Sequence, residues 1–226
     1  MDRETITMTS IYQDNLQSRC PDLFNLAEYV LENTNENPTK KALEVISKFS
    51  NYSISFEELK SRVLKTGNAL IKLGLNRNDK ILLRLDNTVT FPIVYLGAIS
   101  VGIIPVPTSI SLTEYELMEL VKILQPEAII TSKPLSINLG NMKIISETEI
   151  KKLSFEGDEA NFERGDPDRL AYIVFTSGTS NKPRAVLHAH RAIWARQSMH
   201  SDWYALTSND RLLHAGAFNW TYTLGT

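Results

Sequence analysis

The stretch ISFEELKSRVLKTGNALIKLGLNRNDKILLRLDNTVTFPIVYLGAISVGIIPVP, from Ile54 to Pro107, limits the fold more than any other part of the chain. Ser55 followed three residues later by Glu58 is a capping box that opens a helix. Leu59, Val63, Thr66 and Leu70 recur along one face of that helix, and Gly74 closes it. ILLRL then reads as a buried strand, a second helix runs from about Val89 to Val101, and IIPVP is extended again. Strands separated by a helix of this length cannot pair as a tight hairpin. They need crossover connections, and the pairing that results is parallel.

The same alternation continues on both sides. Upstream, Leu23, Leu26, Ala27, Val30 and Leu31 have the spacing of an amphipathic helix, NTNENPTKK breaks it, and ALEVI is a short strand. Downstream, Thr113 and Glu116 mark another capping box before a helix ending near Leu124, and EAIIT and KIIS are further strands. The fold class is therefore α/β, with mainly parallel sheets flanked by helices. Acidic residues then crowd one segment: Glu156, Asp158, Glu159, Glu163, Asp166 and Asp168, with Gly157, Gly165 and Pro167 among them. Such a run is read as a solvated connector, residues 154–168, rather than as a carboxylate metal site. It divides a first α/β sub-domain, residues 1–153, from the start of a second, residues 169–226. In that second part LAYIVF is a strand, RAIWARQSMHSDWY looks helical and RLLHAGAF looks like another strand.

Charge and cysteine content narrow the function. The net charge of −2 gives no electrostatic basis for binding nucleic acid or an anionic membrane, so any cationic function is local. Cys20 is the single cysteine, which excludes a disulfide framework and a cysteine-rich zinc site. The segment FPIVYLGAISVGIIPVP is broken by Pro92, Gly97, Gly102 and Pro105 and is too short to span a bilayer. With no apolar run of a secretory signal in MDRETITMTS, a reducing, cytoplasmic setting is expected.

One motif carries chemistry. In FTSGTSNKPRAVLHAH, Phe175 to His190, a strand runs into hydroxyls, a glycine and two cations and then resumes. Thr176, Ser177, Thr179 and Ser180 offer hydroxyl donors, and Gly178 lets backbone approach a ligand. Lys182 supplies a point charge and Arg184 a planar fork, both suited to phosphate oxygens. The spacing and context differ from G-x-x-x-x-G-K-[ST], so this is not a Walker A loop. By residue chemistry alone it is either an oxyanion loop or a polar hairpin turn with exposed cations.

TSGTSNKPRAV, Thr176 to Val186, resembles the phosphate-loop signature TSGTTGxPKGV of the AMP-forming adenylating enzymes, the superfamily of acyl-CoA synthetases, luciferases and peptide-synthetase adenylation domains. The Ile54–Pro107 block and DPDRLAYIVF are similar, in order and spacing, to that family's approach to its loop. The resemblance implies an incomplete part of the large N-terminal domain, since the family's full chain is more than twice as long. It also implies ATP, Mg2+ and coenzyme A as cofactors and a carboxylic acid of unknown class as substrate. The acid is activated to an acyl-adenylate with release of pyrophosphate and then passes to a thiol. Thr176, Ser177, Gly178, Thr179, Ser180, Asn181, Lys182 and Arg184 would hold the phosphates. Asn181 and Ala185 stand where the family has glycine, and Arg184 where it has lysine. A left-handed backbone at Ala185 would be strained.

Phe218, Asn219 and Trp220, in LLHAGAFNWTYTLG, fall where the family has residues of the acyl pocket. His188, His190 and His214 have no carboxylate or cysteine at ligand spacing, so they are read as packed or capping residues, not metal ligands. No residue here matches the family's adenine motif, ribose aspartate or lid lysine, so no catalytic residue is assigned. An incomplete sheet would expose an edge, and either the remaining C-terminal portion or a second copy of the chain would cover it.

Overall fold

In the computed structural model of the protein, residues 19–32, 37–48, 51–176 and 183–219 are described. In chain order the elements are α1 (Leu26–Val30), β1 (Lys41–Val45), β2 (Tyr52–Ser55), α2 (Phe56–Lys72), β3 (Lys80–Arg84), α3 (Thr90–Ser100) and β4 (Ile104–Pro107). They continue as α4 (Glu114–Leu124), β5 (Ala128–Thr131), β6 (Lys143–Ser146), α5 (Glu147–Leu153), β7 (Leu170–Thr176), β8 (Arg184–Ala189) and α6 (Gln197–Asp202).

The centre is a parallel four-stranded sheet in the order β4-β3-β5-β6. Its strands are short apolar runs because helices cover both faces. Ile81, Leu83, Ala128 and Ile130 point into a layer built by α2, α3 and α5. Leu82 and Ile129 point the other way, onto Leu117 and Leu124 of α4. β1 with β2 and β7 with β8 form separate antiparallel pairs. The α/β class with a parallel sheet is thus observed.

The helices follow their caps. The Ser55 hydroxyl accepts from the Glu58 N–H at the start of α2, and Thr113 with Glu116 forms a two-way capping box on α4. Helix α3 is apolar all round and is buried on every side except at Pro92. It sits against α2 at two glycines. A Cβ on Gly67 would lie 2.8 Å from the Ser100 hydroxyl, and one on Gly97 would lie 3.0 Å from the Val63 carbonyl. Only hydrogen at these two positions permits so close an approach.

Three sequence expectations are corrected. RLLHAGAF forms no strand: Leu212 and Leu213 are 63% and 83% exposed, and no described segment pairs with them. β propensity does not make a strand without a partner ladder. RAIWARQSMHSDWY is not one helix but two 3-10 turns, His190–Ala192 and Trp194–Arg196, followed by α6. The helix expected from Leu23 is shorter than its apolar spacing, and Leu23 lies outside it and is exposed.

In the acidic stretch 154–168 the carboxylates face solvent or cations while the backbone is fixed. Ala160 N–H donates to the Leu64 carbonyl and Glu163 N–H to that of Ser100. The Glu163 carboxylate is paired with Arg77 at 3.0 Å and Arg169 at 3.2 Å.

Candidate functional site

The site is built on the β7–β8 hairpin. Ala171, Tyr172, Ile173 and Val174 are each at most 4% exposed, so β7 is anchored on both faces. Tyr172 and Val174 join the α2–α3 layer, while Ile173 and Phe175 join the α4 layer. The ladder ends at the pair Thr176↔Arg184. The two outer members of the expected phosphate loop therefore face each other across the hairpin mouth, and both are exposed. Ser177, Gly178, Thr179, Ser180, Asn181 and Lys182 lie outside the described residues. Ala185 pairs with Phe175 within the ladder and has no positive φ, so the strain expected for a left-handed backbone there does not arise.

The base of the hairpin is tied to the rest of the fold by polar contacts. Asn25 caps α1 by accepting from the Ala27 and Glu28 N–H groups, and its amide donates to the carbonyls of Ile99, Ser100 and Glu163. Just beyond β8, His190 Nδ1 accepts from the Leu26 N–H at 3.0 Å. His190 is 1% exposed. Burial, and then the charges of Arg169 and Arg77, lower its pKa to about 3, which keeps the ring neutral and able to accept. Arg169 donates to the carbonyls of Phe24 and Glu163, closing the same junction. A packed or capping role was the expectation for His188, His190 and His214, and His190 accepts at the first turn of α1.

On the hairpin's α3 side the aromatic rings assemble. Tyr172 stacks on its cross-strand partner His188 at 4.5 Å, and its ring edge meets Tyr95 at 5.6 Å. Phe91 stacks with Tyr95 at 6.1 Å and with Phe218 at 4.7 Å. Phe218 is held there by Asn87, which accepts from its N–H and donates to the Gly216 carbonyl. The rings of Phe91, Tyr95, Tyr172 and Phe218, with Leu26, Ile193 and Arg196, line a half-open cavity of about 140 Å³. The charge of Arg196 acts on the Tyr172 hydroxyl. Burial raises the pKa of Tyr95 and Tyr172, so both phenols stay protonated. Burial, with Arg196 next, lowers that of His188. The cavity thus has apolar walls and one cationic edge.

Phe218 takes part in this cavity. Asn219 is half-buried and does not line it, and Trp220 lies outside the described residues. Phe91, Tyr95, Tyr172 and Arg196 were not singled out from sequence. Their only signal was a pair of aromatics four residues apart in an otherwise aliphatic helix. His188 and His190 meet no metal-binding partners: among the described residues no three His, Cys, Asp or Glu side chains are placed to hold an ion.

The sequence profile of the AMP-binding enzymes matches residues 30–226, nearly the whole chain. The chain belongs to the AMP-binding enzyme family. Among curated members, it is 24% identical over 191 residues to the 3-hydroxybenzoate–CoA/4-hydroxybenzoate–CoA ligase of Thauera aromatica, covering 76% of this chain and 36% of that protein. It is 29% identical over 160 residues to the 4-hydroxybenzoate–CoA/benzoate–CoA ligase of Rhodopseudomonas palustris, covering 61% of this chain and 29% of that one. The fold matches the benzoate CoA ligase of Burkholderia xenovorans LB400 with a TM-score of 0.79 and 23% identity, over 90% of this chain and 42% of that one. This member of the AMP-binding enzyme family spans about a third of the length of the curated ligases it resembles, and corresponds to the N-terminal portion of the adenylating fold. Among the described residues, no helix is long and apolar enough to cross a membrane.

Proposed function

We propose that this chain is the N-terminal portion of an AMP-dependent acid–thiol ligase. Such an enzyme joins a carboxylic acid to ATP, giving acyl-adenylate and pyrophosphate, and passes the acyl group to a thiol such as coenzyme A. The observation that carries the reading is the hairpin mouth, where Thr176 and Arg184 flank a segment of four hydroxyl or glycine residues, Asn181 and Lys182. Arg184 offers a planar fork and Thr176 a hydroxyl, which fits a phosphate chain. Ser177, Gly178, Thr179, Ser180, Asn181 and Lys182 complete that cradle in the proposal. Mg2+, when bound together with ATP, would supply charge neutralisation to the phosphates these residues hold. No residue of this chain is assigned to coenzyme A. Residues 1–153 and 169–226 act as sub-domains of one larger unit joined through 154–168.

The cavity beside Phe218 supports an acid with a small apolar or ring-shaped body. Stacked rings suit a flat, apolar guest, and Arg196 marks the end at which a charged or polar group is tolerated. Hydroxybenzoate and benzoate ligases among the relatives agree with an acid of this size.

A second reading follows from the share of the relatives that the chain covers: it binds nucleotide or acid without turning them over. The two readings are separated by calorimetry with ATP, alongside acid-dependent ATP–pyrophosphate exchange over a panel of aliphatic and aromatic acids. Saturable ATP binding, weakened about tenfold or more by Arg184→Ala, is expected. Exchange then marks a ligase, and binding without exchange marks the second reading. A folded chain that binds no ATP overturns the first reading, and one that binds neither ATP nor any acid of the panel overturns both.

A further inference from the structure

Two arginines are buried in the described fold, and their surroundings differ. Arg62, 2% exposed, places Nε and Nη2 against the Ser154 hydroxyl, Nη1 against the Tyr52 hydroxyl and Glu58, and its plane 4.0 Å above the Phe155 ring. Arg84 is 7% exposed and ends β3. Its Nη2 donates to the Leu112 carbonyl at 3.2 Å, while Nε and Nη1 meet no acceptor among the described residues. A guanidinium is always charged, and a dehydrated charge without a counter-ion is strongly disfavoured.

Its position is also informative. In the order β4-β3-β5-β6 the chain leaves β3 first to one side and then to the other, so the strand order reverses at β3. Open parallel sheets bind ligands outside the carboxyl ends of the strands at such a point. Arg84 is the last residue of β3. Its register partner on the same face, Thr131, lines an open cleft of about 710 Å³ with Lys133, Lys151 and Glu147, a cleft that Arg84 itself does not line. The two lysines draw anions toward the neighbouring strand end.

We propose that Arg84 is the anchor of a binding site for a small carboxylate. The number of donors selects the anion. The flanking hydroxyls are already spent, Thr108 donating to the Leu83 carbonyl and Thr131 to that of Lys133. Beside these hydroxyls the free N–H groups are those of the guanidinium: Nε, Nη1 and the second hydrogen of Nη2. That second Nη2 hydrogen, parallel to Nε–H on one edge or to an Nη1 hydrogen at the tip, gives the pair of bonds that the two oxygens of a carboxylate accept. A phosphate would leave oxygens unpaired in a layer formed by Leu82, Leu117, Ile129 and Ile173. This site lies at the parallel sheet and not at the hairpin mouth, so it stands or falls apart from the ATP reading.

The test uses the 226-residue chain with sodium acetate as probe and sodium chloride at equal ionic strength as reference. Acetate is expected to raise the unfolding temperature saturably above the chloride value. The arginine Nε–H resonance that Arg84→Lys removes is expected to shift with the same midpoint. Arg84→Lys keeps the charge without the fork and is expected to weaken that midpoint about tenfold or more. Arg84→Met is expected to abolish it. Equal unfolding temperatures in acetate and chloride overturn the proposal, as does an acetate effect that survives Arg84→Lys unchanged. If Arg84→Met does not fold, the wild-type resonance decides: saturation supports the site, and a resonance that does not move rejects it.

Discussion

The parallel sheet and the β7–β8 hairpin contain similar apolar runs but hold them differently. Every residue of β4 and β5 is buried, because helices close both faces of the sheet. In β8 half of the residues are exposed and none is buried, and Leu187 is 64% exposed. β7, its partner, is buried along most of its length. Packing on two faces makes the sheet a scaffold, whereas the hairpin has one strand in the core and one facing outward. Of the expected phosphate-binding residues, Thr176 and Arg184 are exposed at the open end of this pair. The apolar scaffold and the residues proposed for ligand contact thus lie in neighbouring parts of one fold.

The widest separation between the two parts is expected from matched leucine truncations. Leu82→Ala, in β3 at 0% exposure, opens a cavity between the sheet and α4 and is expected to cost about 2–5 kcal/mol. Leu187→Ala, in β8, removes an exposed side chain and is expected to change stability by no more than about 0.5 kcal/mol. Urea unfolding of the two variants checks the division. Equal losses would mean that the hairpin's outer strand is covered in solution.

The junction between the two parts carries a pH dependence. The pKa of His190 falls from 6.5 to about 3 in the folded chain, so between those values the unfolded chain takes up a proton that the folded one refuses. The contribution of His190 is complete above about pH 6.5 and is lost as pH falls toward about 3, by about 1.4 kcal/mol per pH unit. At pH 5 this amounts to roughly 2 kcal/mol. His190→Gln keeps an acceptor for the Leu26 N–H but does not titrate. Its stability should therefore fall less steeply on acidification than that of the wild type. Parallel slopes in urea titrations from pH 7 to 5 would show that His190 does not hold the junction in its neutral form.

Most of the scaffold was legible because it is encoded locally. The capping boxes at Ser55 and Thr113 and the runs ILLRL and EAIIT each lie within a few residues, and α2, α4, β3 and β5 appear where they predict. Helix α5 was missed although Ser146 caps it by accepting from the Glu149 N–H. With seven residues and one buried side chain, Ile150, it shows no periodicity. RLLHAGAF failed for the opposite reason, a strand-like composition without a neighbour to pair with. At the site, Thr176 and Arg184 were legible because one short motif contains both. Phe91, Tyr95, Tyr172 and Arg196 were not, since their cavity forms only when α3, β7 and the segment after β8 meet. Arg84 read as one polar residue in a strand; its burial, and the lack of an acceptor for Nε and Nη1 among the described residues, are properties of the assembled sheet.

The smallest effect concerns how far local signals, as opposed to burial, hold the scaffold. Ser55 is the N-cap of α2, and its hydroxyl accepts from the Glu58 N–H at 3.1 Å. Removing that acceptor leaves one helix-terminal donor to water, because the first turn of α2 is partly exposed. Ser55→Ala is therefore expected to cost about 1 kcal/mol, within a range of about 0.5–2, and less than Leu82→Ala. The buried face of α2, with Val63 and Leu70 at 0% exposure, keeps the helix in place without its cap. Urea unfolding checks the order of the two losses. A larger loss for Ser55→Ala than for Leu82→Ala would make the helix start, rather than the apolar layer beneath it, the element on which the scaffold depends.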